Sequence, residues 1–130
     1  KRYLCIVHGT PKPPQGKLEG YLFKDAVKNR VYVTSTPQKG AKTCATRYKV
    51  LQSKNGLSLV EAIPLTGRTH QIRLHLAHIG CPLYGDFLYG TEIPGERTRL
   101  HCRKVAFSLP QSDTVFEIEA PLPPDFQKLM

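Results

Sequence analysis

The sequence predicts an α+β fold, a mixed and mainly antiparallel sheet with one main helix packed on it. Three observations lead there. Most of the chain divides into short alternating or β-branched runs separated by Pro- and Gly-containing breaks. One break, Asn55-Gly56, lies between two strand patterns and is a strong hairpin signal. One stretch carries helical periodicity, because Ile72, Leu76 and Ile79 fall at i, i+4 and i+7.

In chain order, Tyr3 to Val7 alternates weakly and reads as a strand. Thr10 to Gly16 holds three prolines and reads as a rigid loop. Leu18 to Lys24 is strand-like, Asp25 to Arg30 is a turn or short helical piece, and Val31 to Thr34 is a strand. Pro37 to Gly40 breaks the chain again. Lys42 to Ser53 and Leu57 to Ile63 form the predicted hairpin. The second of these strands delivers the chain through Thr66-Gly67 into the helix. Thr69 is its predicted N-cap, Gly80 its predicted stop, and Pro82 blocks continuation. Cys81 to Arg99 reads as an irregular loop. Leu100 to Leu109 and Val115 to Ala120 pair across residues 110–113, and Asp125 to Met130 forms a short terminal helix.

At 130 residues and 40% hydrophobic composition, the chain suits one domain with a modest core. No apolar run approaches the roughly 18 residues a membrane span needs, so no membrane partner is expected. No signal-peptide pattern follows Lys1-Arg2, and no initiator methionine opens the chain, consistent with a fragment. Cys5, Cys44, Cys81 and Cys102 show no paired spacing, which argues against zinc and for reduced, structural thiols in a cytoplasmic protein. His75 and His78 have no matching carboxylate or cysteine partner, so no metal is expected, and both read as ordinary helix residues.

The charge of +9 is one-sided. Residues 1–54 hold twelve lysines and arginines against two acids, whereas residues 55–130 are close to neutral. Such a face suits a polyanion, most simply nucleic acid; on charge alone a solubilising face fits equally well. No helix-turn-helix or finger pattern supports DNA. The helix start sharpens the choice, because Arg68, His70, Gln71 and Arg73 crowd the predicted first turn. Two arginines there oppose the helix dipole, yet they favour an anion.

Thr66-Gly67-Arg68-Thr69-His70-Gln71-Ile72-Arg73-Leu74-His75 resembles the RluA-type family of RNA pseudouridine synthases. Gly80 to Asp86, Tyr89-Gly90, Lys1-Arg2-Tyr3, Gly16 to Asp25, and Leu100-His101 with Ala120 to Pro123 extend the likeness over nearly the whole chain. The resemblance implies the C-terminal portion of a pseudouridine synthase catalytic domain, acting on structured RNA (rRNA or tRNA) without a cofactor. The family's catalytic aspartate lies in an Arg-Leu-Asp motif upstream, and no Arg-Leu-Asp occurs in these 130 residues.

By the same resemblance Arg73 is the ion-pair partner of that aspartate, holding it charged beside a flipped base. Tyr3 matches the active-site tyrosine that stacks on the base and takes part in proton abstraction from C5. Arg68, His70, Gln71 and Lys1 are expected to contact RNA, with a histidine bonded within its own turn as the competing reading of His70. Asp86 is expected to be structural, bonding loop backbone or a basic residue. A non-catalytic RNA-binding module, or pseudoenzyme, is the alternative to the enzyme.

Overall fold

Asn55 and Gly56 both take positive φ, 53° and 76°, the pair of conformations that turns a hairpin with the twist of its strands. They join β4 (Lys42–Lys54) to β5 (Leu57–Pro64) in antiparallel register. The computed structural model describes residues 1–27, 30–108 and 115–130. Around this hairpin lie β1 (Arg2–His8), β2 (Gln15–Asp25), β3 (Arg30–Thr34), β6 (Leu100–Ser108) and β7 (Val115–Glu119). They form one sheet in the order β3-β2-β4-β5-β1-β6-β7, and every described pairing is antiparallel. The expected connection through residues 110–113 lies outside the described residues, as do residues 28 and 29 of the expected turn at 25–30.

The weak alternation of β1 has a physical cause. Leu4, Cys5, Ile6 and Val7 are all buried because both faces of this strand are covered. On one face Cys5 and Val7 join Tyr48, Val60, Ala62 and Leu83 beneath Ile72 and Leu76 of the helix α1 (Gln71–His78). On the other, Leu4 and Ile6 meet Phe126, which is fully buried on α2 (Pro124–Gln127). The predicted stripe of α1 thus faces the sheet, and Ile79 packs at its margin. Leu74, on another side of α1, covers Leu22 and Cys44.

The helix boundaries need correction. α1 begins at Gln71 rather than just after Thr69, and His70 occupies the N-cap at φ 55° with no side-chain cap bond. Gln71 explains this: its Oε1 accepts from the Thr66 hydroxyl (2.6 Å) and the Arg68 N–H (3.2 Å), holding residues 66–70 as a separate turn. At the far end the expectation is met. Gly80 sits at φ +84°, Gly80 N–H donates to Ala77 O and Cys81 N–H to Leu76 O, forming a Schellman closure. The terminal helix is shorter than expected, starting one residue earlier with Pro124 at a first-turn position and ending at Gln127.

Candidate active-site cleft

The start of β1, the end of β5, the 66–70 turn and the first turn of α1 converge on one cleft of about 380 Å3. Lys1, Tyr3, Arg68, His70, Gln71 and Arg73 all line it, although they come from opposite ends of a 73-residue span. Leu100 of β6 closes its floor with Ile72 and Pro64. A larger hollow of about 470 Å3 lies on the sheet among Lys17, Arg47, Lys49 and Glu61. It holds none of the predicted site residues, and its charge is mixed: Lys17 pairs with Glu19 and Glu61 with Arg2.

Tyr3 is half-buried on β1, opposite Ala62 on β5 and Cys102 on β6. Burial, and secondarily the neighbouring Cys102 thiol, raise its phenol above the ordinary tyrosine value. It therefore lines the cleft as a neutral phenol at neutral pH.

Arg73 already has a carboxylate partner within the chain. Its Nε donates to Asp86 Oδ2 at 3.0 Å and its Nη2 to Asp86 Oδ1 at 2.7 Å. The guanidinium lies 5.3 Å from the Tyr89 ring centre and 5.6 Å from that of Phe87. The resemblance assigns Arg73 to an aspartate outside the chain; here Asp86 occupies its Nε–Nη2 edge. Among the described residues Nη1 of Arg73 has no hydrogen-bond partner, and Arg73 lines the cleft.

Asp86 is fully buried and also accepts from the Leu88 and Tyr89 N–H groups. Burial raises its carboxyl, but the Arg73 bonds and these two amides outweigh it and hold the group below the usual carboxylate range. The structural reading of Asp86 is met on both counts, backbone and basic residue. Gly85 places it: with φ +77° and an added Cβ only 2.5 Å from Arg97 O, only glycine fits before Asp86. Enclosed and bonded on both oxygens, Asp86 is no nucleophile.

His70 is exposed, and its Nδ1 lies 2.8 Å from the Tyr89 hydroxyl. Burial of the ring, then the Arg73 charge, lower its pKa against a smaller opposing effect of Asp86. A neutral imidazole there offers a hydrogen bond rather than a charge. Its partner is the 86–89 loop, not its own turn. Arg68 lies before the helix, not within its first turn, and its Nε donates to Thr43 O at 2.8 Å. Arg68 lines the cleft. Lys1 is exposed on the rim.

Gln71 does not reach outward as expected. It is 4% exposed. Its Nε2 donates to Ala45 O (2.7 Å) and Thr46 Oγ1 (2.8 Å), while Oε1 takes the two bonds described above. Its amide capacity is consumed, so it builds the cleft wall and leaves nothing for RNA.

Sequence reasoning undervalued His75 and Tyr89. His75 is buried at 2% exposure, its Nδ1 2.8 Å from Thr46 Oγ1 and its Nε2 3.2 Å from Cys44 Sγ. Burial, with a lesser push from His78, lowers its pKa to about 4, so it stays neutral. The available signal was spacing: Gln71 and His75, at i and i+4, put two polar groups on the sheet-facing side of α1. Tyr89 ties His70 and Arg73 together through its hydroxyl and its ring; nothing in its local sequence assigned it that role.

The family described as RNA pseudouridylate synthase matches residues 1–78. Among similar proteins, the uncharacterized RNA pseudouridine synthase YlyB of Bacillus subtilis (strain 168) is 36% identical, over 100% of this chain and 43% of its own length. Ribosomal large subunit pseudouridine synthase C of Rickettsia bellii (strain RML369-C) is 35% identical, over 99% and 44% respectively. The chain thus spans less than half the length of these relatives. Two solved human structures share the fold. RNA Pseudouridylate Synthase Domain Containing 4 has a TM-score of 0.77 at 23% identity, over 98% of this chain and 59% of that one. Domain Containing 1 has a TM-score of 0.77 at 26% identity, over 93% and 54%. By the match over residues 1–78, and as the RluA-type resemblance implies, the chain belongs to the RNA pseudouridylate synthase family.

Proposed function

We propose that the protein containing this chain isomerises uridine to pseudouridine in structured RNA, and that these 130 residues supply one wall of its active site. The observation that carries the reading is the convergence of Tyr3 and Arg73 on one cleft, with Nη1 of Arg73 unbonded among the described residues. The reaction detaches uracil from C1′, rotates it and rejoins it through carbon. A carboxylate must act covalently or shield the sugar cation, and must stay ionised beside the base. Arg73 keeps it charged, Tyr3 stacks on the base and meets the C5 proton, and Lys1, Arg68 and His70 hold the flanking backbone. The carboxylate itself comes from outside this chain, since Asp86 is enclosed.

A relative named for the ribosomal large subunit favours rRNA over tRNA as substrate. Four free cysteines, three of them buried, suit a reducing compartment, and we place the protein in the cytoplasm. The competing reading, an RNA-binding module without chemistry, is favoured by one observation: no Arg-Leu-Asp occurs in the chain.

Tritium release from RNA labelled at uridine C5 separates the two. The longer protein, read upstream of Lys1, is expected to release tritium with multiple turnovers, and the 130-residue chain to release none. Absence of release from both rRNA and tRNA would leave the binding module. Turnover by the chain alone would overturn the roles assigned to Arg73 and Asp86.

A further inference from the structure

A second groove adjoins the cleft. It has a volume of about 260 Å3 and shares Gly67 and Arg68 with the cleft wall. Three segments distant in sequence each bring one cation to it: Lys24 from β2, Lys42 from the start of β4, and Arg68 from the turn before α1. Among the described residues no carboxylate lines it, and Leu22 and Val31 form apolar walls. Like charges from separate strands repel, and gathering them beside apolar surface strengthens that repulsion. The arrangement is favourable once an anion enters. Arg68 is also pre-set, because its Nε bond to Thr43 O fixes the guanidinium where groove and cleft meet.

We propose that this groove carries the phosphate backbone of single-stranded RNA flanking the nucleotide in the cleft, entering past Arg68 and leaving between Lys24 and Lys42. The occupant follows from charge, from continuity with the cleft, and from the concentration of positive charge in residues 1–54. The described lining offers no aromatic ring, so the groove holds backbone and leaves bases unread. The proposal rests on the RNA reading above and adds the direction in which the strand leaves the site.

The test measures the affinity of the 130-residue chain for a fluorescent single-stranded RNA across a salt series. Each phosphate engaged contributes about 0.7 to the slope of log K against log salt. Lys24→Gln with Lys42→Gln is expected to flatten the slope by about 1.4, with an unchanged melting temperature because both side chains are exposed. Lys12→Gln with Lys54→Gln is the control; Lys54 lies at the other end of β4, about 40 Å from Lys42 at strand spacing. It should leave the slope alone.

An unchanged slope in the groove variant, an equal loss in the control, or no salt-dependent binding by the parent chain would each overturn the proposal. Displacement of the RNA by polyglutamate at equal charge concentration would assign the groove to an acidic protein partner instead. Tritium release by the longer protein is independent of these readouts. Turnover with an unchanged slope removes the groove and keeps the enzyme; a flattened slope without turnover does the reverse.

Discussion

The two ends of α1 obey different rules. At the C-terminal end, Gly80 takes the left-handed conformation and the Schellman bonds to Ala77 and Leu76 satisfy the last carbonyls. At the N-terminal end, a histidine holds the left-handed N-cap position, no side chain caps the helix, and the first turn contains no acid. Arg73 stands there instead, against the dipole. The compliant end turns into the core through Cys81 and Leu83, and the non-compliant end forms the cleft. Local rules are relaxed where the chain needs a cation and a fixed turn, and the cost is met by the nearby Thr66 hydroxyl and by long-range bonds from Asp86, Tyr89 and β4.

Removing those long-range bonds tests the contrast most severely. Asp86→Ala strips the buried partner from Arg73 and orphans the Leu88 and Tyr89 amides. The expected cost is about 3–5 kcal/mol, read as a fall in Tm on the order of 10–20 °C. A shift of only a few degrees would mean that the pair does not hold the 86–89 loop to the helix.

Gln71→Ala ranks next. It leaves the Arg68 N–H without its partner and the Thr66 hydroxyl without its acceptor, and takes one of two donors from the Ala45 carbonyl, at about 2–3 kcal/mol by urea denaturation. RNA affinity should barely change in the fraction that remains folded. A selective loss of affinity with intact stability would restore Gln71 as an RNA contact.

These two residues also show what the sequence makes legible. The hairpin at Asn55-Gly56, the apolar stripe of α1 and the stop at Gly80 depend on neighbours within a few positions, and all three are read correctly. The inward turn of Gln71 and the buried His75 depend on β4, some 25 to 31 residues away, and the missing cap at Thr69 follows from the turn that the inward Gln71 holds. Propensity has no access to that. The cleft was reached through a motif whose residues are adjacent in sequence, but the Arg73–Asp86 bond spans an irregular loop whose path only the fold supplies.

His75 offers a subtler test, because it links the middle of α1 to β4 on the side shared with Gln71. His75→Gln should cost about 1–2 kcal/mol at neutral pH. The pH profile separates it further. Folded His75 binds a proton more weakly than the unfolded residue, its pKa lowered from 6.5 to about 4. Below about pH 6.5 the unfolded chain therefore takes up the proton first. The stability contributed by burying a neutral His75 is full above that pH and is lost as the pH falls toward about 4. Asp86, with its depressed value, contributes above the ordinary carboxylate range and is lost only in stronger acid. Urea titrations at neutral and mildly acidic pH should show the slope in the parent chain and a shallower one in His75→Gln. Identical slopes would contradict the assignment.

The compliant end should give the smallest effect. At Gly80, φ is +84° and no atom lies within 4 Å of an added Cβ, so Gly80→Ala carries backbone strain alone. About 1 kcal/mol is expected, with RNA binding unaltered. A cost comparable to that of Asp86→Ala would erase the difference between the two ends.

The central claim is that Arg73 serves chemistry through the edge that Asp86 leaves open. Removing Arg73 alone would strand a buried aspartate, so the direct test is Arg73→Gln combined with Asp86→Asn in the longer protein, which removes both charges together. Pseudouridine formation and RNA affinity are then measured on the same preparation. Loss of about 3–5 kcal/mol of charge stabilisation at the site predicts a fall in kcat of roughly a hundred- to a thousandfold or more, with Kd for RNA within about threefold. Turnover within tenfold of the parent, or a loss confined to affinity, would contradict the account.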